Sequence, residues 1–192
     1  MFEKLLNSRF LILYVVPFTI GSLSIISFHP FNITIVNFIT FPIFFYLIVY
    51  INKKSKSIYR KKPLRKNLFT FGLLFGFGFY LSGISWIANS LTFDDNFKIL
   101  ILFAIILIPL FLSLFIAIPV LFIGPYLNLS FTSIFLFSSI LAISEYLRAQ
   151  ILTGFPWNLW AYSTVWLTEI IQIVNLIGLN SYNLVVITVF TL

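Results

Sequence analysis

Residues Ile99–Ile123 read ILILFAIILIPLFLSLFIAIPVLFI, 25 residues with no charge and a single hydroxyl, Ser113. As a helix this run reaches ~38 Å at ~1.5 Å per residue, enough to cross a bilayer core of ~30 Å. A buried helix of a water-soluble domain seldom needs such a run, so lipid is the solvent it implies. Outward from it, comparable runs fall at Phe10–Phe28, Ile33–Ile51, Leu68–Asn89, Leu129–Leu147 and Leu167–Leu192. They are continuously apolar, whereas barrel strands alternate and are only ~10 residues long. Lipid offers backbone groups no partner, which leaves the helix as the solution even for segments rich in Phe, Ile and Val. The expected fold is an all-α integral membrane protein, a bundle of about six transmembrane helices forming one domain over residues 1–192.

Composition agrees. Hydrophobic residues make up 60% of the chain and charged ones 9%, where a soluble domain carries about a quarter. Mean hydropathy is +1.07. Cysteine is absent, which rules out a disulfide, a thiolate metal site or a cysteine nucleophile in this sequence. The formal charge of +7 does not point to nucleic acid, because eight of the twelve basic residues lie between Lys53 and Lys66, beside apolar runs. Such placement is a topology signal, since Lys and Arg next to spans stay cytoplasmic. With the N-terminus inside, Lys4, Arg9 and those eight are cytoplasmic, leaving Lys98 and Arg148 outside. The Phe28–Asn32 turn, the Ser90–Phe97 loop and the Arg148–Trp166 segment then face the far side of the membrane, a periplasm if the source is a Gram-negative bacterium. The N-terminal run follows Lys4 and Arg9 as a signal peptide would, but no A-x-A site follows, so it reads as a retained first span. The last run reaches Leu192 with no polar tail, as in a truncated polypeptide.

Few residues in this apolar background invite chemistry. In the third run Gly72, Gly76 and Gly83 share one helical face with Trp86 near its outer end. Small residues there let another helix approach, or open a slot for a lipid chain, and Trp86 is equally an interfacial anchor. Prolines at 17, 42, 109 and 119 bend spans, and neighbouring helices or hydroxyls must take up the carbonyls they free. His29 is the sole histidine and Asp94 and Asp95 are adjacent in a loop, so neither supplies a triad or a metal site. No metal and no cofactor is expected; phosphate-binding, dinucleotide, zinc and nucleophile-elbow motifs are missing. The concentrated polarity is EYLRAQILTGFPWNLWAYS, residues 145–163. Glu145 and Arg148, spaced i, i+3 near a span end, can pair. Beyond them Gly154 permits a turn, Pro156 stiffens it, and Trp157, Trp160 and Trp166 follow. An aromatic belt explains the tryptophans but not the polar and turn-forming neighbours, and ordered loops on rigid scaffolds are where binding resides.

Those residues carry a resemblance. Glu145-x-Leu-Arg148, the run LTGFPWNL at 152–159 and Tyr162-Ser163, together with GFGFYLSGISWIANS at 76–90 and FHPF at 28–31, resemble the membrane portion of apolipoprotein N-acyltransferases. The resemblance implies a bacterial inner-membrane enzyme of lipoprotein maturation. It moves an acyl chain from a phospholipid to the α-amino group of a lipoprotein's diacylglyceryl-cysteine, through an acyl-thioester. It further implies eight spans and a nitrilase-like domain with a Cys nucleophile, a Glu base and a Lys at the oxyanion. This sequence has no cysteine, so no catalytic residue transfers, and the chain alone is expected to be inactive. What does transfer is a substrate-side outer loop of Gly154, Phe155, Pro156, Trp157, Tyr162 and Ser163, with Glu145 and Arg148 as its ion-paired support. The implied partners are membrane lipids, the phospholipid donor, the diacylglyceryl lipoprotein and a nitrilase-like half borne elsewhere. A non-catalytic scaffold, lipid-binding or transporter-like protein of the same fold is the rival reading.

Overall fold

A computed structural model describes residues 8–55, 63–93, 98–151 and 158–192, mostly helical, with no strand among them. Helix α1 (Leu11–Ser27) begins as a π-helical turn and ends as a 3-10 turn. Helix α2 is Asn37–Ser55, α3 Leu64–Ile84, α4 Leu100–Ile123 and α5 Phe131–Ile151. With their flanking turns α2, α3, α4 and α5 are each long and apolar enough to cross a membrane. Large apolar side chains stand outward, such as Phe103, Phe111 and Phe122 on α4; an apolar surface this extensive is stable against lipid and not against water. The protein is an all-helical membrane protein.

Several of the expected spans differ from the sequence reading: the second and third helices cover Asn37–Ser55 and Leu64–Ile84 instead of Ile33–Ile51 and Leu68–Asn89, and Leu11–Ser27 is one of the shorter apolar helices. The run Leu167–Leu192 is not one helix: it divides into α6 (Thr168–Ile177) and α7 (Leu179–Thr191) at Gly178, whose φ of 78° breaks the helical path. A non-glycine residue would be strained in that conformation, so an apolar run concealed a corner. At 13 residues α7 covers only ~20 Å. The fifth span reaches Ile151 instead of Leu147, which places Glu145 and Arg148 inside helical backbone and not just beyond it.

The bundle is organised around α3, whose neighbours approach to backbone distance. A Cβ on Gly72 would meet Ala117 Cα at 3.0 Å, and one on Gly76 would meet Ser113 Cα and Cβ at 2.9 Å, both on α4. On the α1 side, a Cβ on Gly21 would run into the Phe75 carbonyl, and one on Gly78 into the Phe18 carbonyl. Ser22 Oγ donates to the Gly78 carbonyl across this seam at 3.2 Å. Gly83 belongs to a different contact, against Ile25 and the Asn158 amide. The row of three glycines therefore does not serve one partner, and Gly21 and Gly78 form a second small-residue seam. Proline also finds its expected relief: Pro119 lacks the N–H that would take the Phe115 carbonyl, and Ser144 Oγ on α5 donates to that oxygen at 2.6 Å.

Inside, aromatic rings fill the space between α2, α3, α5 and the 3-10 turn Trp160–Thr164. Phe44 stacks on Phe75 at 3.8 Å and on Phe71 at 5.4 Å. Trp160, fully buried, stacks on Phe79 at 4.1 Å and meets Phe41 edge-on at 4.6 Å. Gly76→Leu is expected to force α3 from α4 and cost about 1–3 kcal/mol, read as a lower thermal midpoint in detergent; an unchanged midpoint would mean that this seam is not closely packed.

Candidate functional site

The polar residues converge where α5 ends. Glu145 and Arg148 stand one turn apart and are buried, at 1% and 0% exposure, with Arg148 Nη2 3.8 Å from Glu145 Oε1. The guanidinium carbon lies 5.1 Å from the centre of the Tyr80 ring on α3, so the ring face adds a cation–π attraction. Among the described residues no hydrogen-bond acceptor reaches Arg148 Nε, Nη1 or Nη2. The pair therefore rests on charge and the Tyr80 ring, and removing either partner strands the other in a medium that solvates charge poorly.

Asn183 of α7 extends the pair into a brace. Its Nδ2 donates to Glu145 Oε2 at 2.6 Å, while its Oδ1 accepts the Ala161 backbone N–H at 2.9 Å. One amide thus joins α5, α7 and the Trp160–Thr164 turn. That segment has further ties: Thr34 Oγ1 donates to the Ser163 carbonyl at 2.6 Å, and Trp166 Nε1 donates to Thr34 Oγ1 at 2.8 Å. The Thr164 and Tyr182 hydroxyls are 2.7 Å apart. Tyr162 is half-buried; burial pushes its phenol above the ordinary value and the nearby Arg148 charge partly offsets this. Ser163 is buried, its hydroxyl turned back to the Trp160 carbonyl at 2.7 Å, and so is not a free nucleophile.

Of the residues singled out from sequence, Glu145, Arg148, Tyr162 and Ser163 gather in this region. Gly154, Phe155, Pro156 and Trp157 lie outside the described residues. Gly72 and Gly76 face α4, Gly83 touches Asn158, and Trp86 stands 62% exposed. Sequence reasoning missed Asn183, Tyr80 and Thr34, and read Trp160 with the belt although it is a core residue. The available signal for Asn183 was an amide in the apolar run LNSYNLVVITVF, since polar residues within such runs bond across helices. No group of three His, Cys, Asp or Glu side chains able to hold a metal occurs among the described residues. The arrangement cross-links the Trp160–Thr164 turn to α5 and α7, and among the described residues it brings no nucleophile and base into contact.

Residues 20–192 match the family model described as the apolipoprotein N-acyltransferase N-terminal domain. The apolipoprotein N-acyltransferase of Brucella melitensis is 33% identical over 178 residues, 90% of this chain and 32% of the relative. That of Bradyrhizobium diazoefficiens is 33% identical over 177 residues, 92% of this chain and 32% of the relative. That of Rickettsia bellii is 33% identical over 121 residues, 62% of this chain and 24% of the relative. The chain thus spans about a third of the length of the first two relatives.

Arg148→Leu alone is expected to cost about 3–5 kcal/mol by stranding the Glu145 carboxylate. Adding Glu145→Leu should recover a large part of that loss, because no buried charge remains. Equal destabilisation by the single and double variants in a thermal melt would show that the pair is not coupled.

Proposed function

This chain belongs to the apolipoprotein N-acyltransferase family, matching its N-terminal domain, and from that premise we propose that it is the membrane platform of phospholipid-dependent lipoprotein N-acylation. It crosses the bacterial inner membrane several times with its N-terminus in the cytoplasm, as the ten cytoplasmic cations against two suggest. Its partners are a phospholipid acyl donor, a diacylglyceryl lipoprotein and a Cys-bearing nitrilase-like half. The chain itself makes and breaks no acyl bond, for it has no cysteine.

The observation that carries this reading is the brace of Glu145, Arg148 and Asn183 beneath the outer segment. In the family's reaction a thiolate attacks the phospholipid ester, releasing lysophospholipid and leaving a thioester. The lipoprotein amine then attacks that thioester and the thiol departs. Both lipid substrates keep their tails in the membrane, so the reacting groups meet only if the surface below the nucleophile is fixed in height and orientation. Small displacements there are costly to rate, and a buried, cross-linked segment supplies such a surface.

The transporter-like reading draws on the break at Gly178 and the intramembrane charges. Against it, the two charges oppose each other within one helix, and Asn183 holds the carboxylate from the facing one.

In proteoliposomes with a diacylglyceryl lipopeptide and phosphatidylethanolamine, the 192-residue chain is expected to give no N-acyl product. Residues 20–192 replacing the matching segment of the Brucella melitensis relative should restore product. Arg148→Leu in that chimera should lower turnover ~10-fold or more by releasing the outer segment. Product from the chain alone, or full turnover without Arg148, overturns the platform reading. Because the sequence is free of cysteine, single replacements report topology without background. Val165→Cys should react with an impermeant maleimide from the periplasmic side, and Ser57→Cys only after permeabilisation; the reverse pattern inverts the orientation.

A further inference from the structure

Thr34 opens the 3-10 turn Thr34–Val36 that leads into α2, and its one hydroxyl serves two residues that lie 129 and 132 positions later. It donates to the Ser163 carbonyl at 2.6 Å and accepts the Trp166 indole N–H at 2.8 Å. The connection that presents this hydroxyl is itself fixed. The Ile33 N–H donates to the Ile26 carbonyl at 3.1 Å, Ser27 Oγ donates to the Ile33 carbonyl at 3.2 Å, and the Phe28 ring packs on Phe79 at 5.7 Å and on Trp160 at 5.9 Å. The bonds that tie Ala161 and Thr164 to α7 come from Asn183 and Tyr182, which are neighbours on that helix. Two ties to one place on one helix let the segment tilt with it, and a third tie to a separate support removes that freedom. Between Val165 and Leu167, the one side-chain hydrogen bond to another element among the described residues is that of Trp166 to Thr34.

We propose that Thr34 and Trp166 are positioning residues for acyl transfer, a latch that fixes the far end of the segment after α5 against the connection between α1 and α2. The inference rests on the platform reading and gives that platform a support independent of the Glu145, Arg148 and Asn183 brace. The chemistry explains why a hydroxyl stands here. A carbonyl can only accept and an indole N–H can only donate, so the group between them must do both. Serine meets that requirement, and valine, close to threonine in shape, does not. Thr34 is 8% exposed and Ser163 is 0% exposed, so Thr34→Val leaves the Ser163 carbonyl unpartnered where water reaches poorly. Trp166 is 48% exposed, and its indole N–H can turn to solvent, which makes its share of the latch the smaller one. Neither residue contacts a reacting group in this chain. Their effect is on the height and tilt of the surface below the nucleophile, and it falls on turnover more than on substrate affinity.

Two measurements test the latch. In the detergent-solubilised 192-residue chain, Ser163→Cys supplies a lone buried thiol whose labelling by a water-soluble maleimide reports opening of the segment. Adding Thr34→Val should speed labelling about fivefold, the change in open population that one hydrogen bond governs, and Thr34→Ser in its place should return the rate close to its starting value. In the Brucella melitensis chimera, Thr34→Val should lower kcat about fivefold while KM for the lipopeptide stays within about twofold. Trp166→Phe, which keeps a ring and loses the N–H, should lower kcat about twofold, and the double variant should be no slower than Thr34→Val, since both bonds pass through one hydroxyl. Thermal midpoints separate a latch from general unfolding: if Thr34→Val melts well below its parent, Trp166→Phe decides alone. Unchanged labelling, unchanged turnover, a loss confined to KM, or no recovery with Thr34→Ser each overturns the proposal. Full turnover in Arg148→Leu means that the platform reading has failed; slow Arg148→Leu beside a full-rate Thr34→Val refutes the latch alone.

Discussion

Helices in lipid gain little from the hydrophobic effect when they pair, since the tails they leave are as apolar as the partner they meet. Close van der Waals contact must supply the difference, and in this protein that contact is made by α3. Gly72 and Gly76 bring it onto the backbone of α4, and Gly21 with Gly78 bring it onto α1. The missing side chains are the interaction: each glycine replaces a lipid-filled gap with atoms in contact along a seam. Because both seams share one helix, α1, α3 and α4 behave as a unit against which the aromatic core of α2 and α5 can pack.

The polar assembly at the end of α5 is built on that unit by a different rule. A buried charge in an apolar medium persists only if it is compensated where it stands. Arg148 meets Glu145 on its own helix and Tyr80 on α3, and the carboxylate meets Asn183 on α7. Compensation by three helices ties the end of α5 to the scaffold. The same amide holds Ala161, and Thr34 and Tyr182 hold the rest of the segment. Trp160 enters the core beside it, against Phe41 and Phe79. The segment that follows α5 is therefore anchored by polar bonds to three helices and by a stacked indole in the core.

The two ends of the bundle are chemically unlike. At one, Lys54 lies against the Tyr50 ring; at the other, Glu145 and Arg148 are paired and buried.

The sequence by itself determined the solvent, the helical class and the family. Each follows from runs such as Ile99–Ile123 and from local patterns such as Glu145-x-Leu-Arg148, which need no knowledge of neighbours. Its hydropathy could not reveal the corner at Gly178, because apolarity measures preference for lipid and is blind to φ. Nor could the helical wheel distinguish Gly83 from Gly76, for residues on one face meet different partners at different heights. Only the tertiary structure chose Trp160 for the core instead of the interface, and Asn183 as the link between Glu145 and Ala161. Those choices depend on which side chains long-range packing brings together, and in an apolar medium the few polar groups must find one another across the fold.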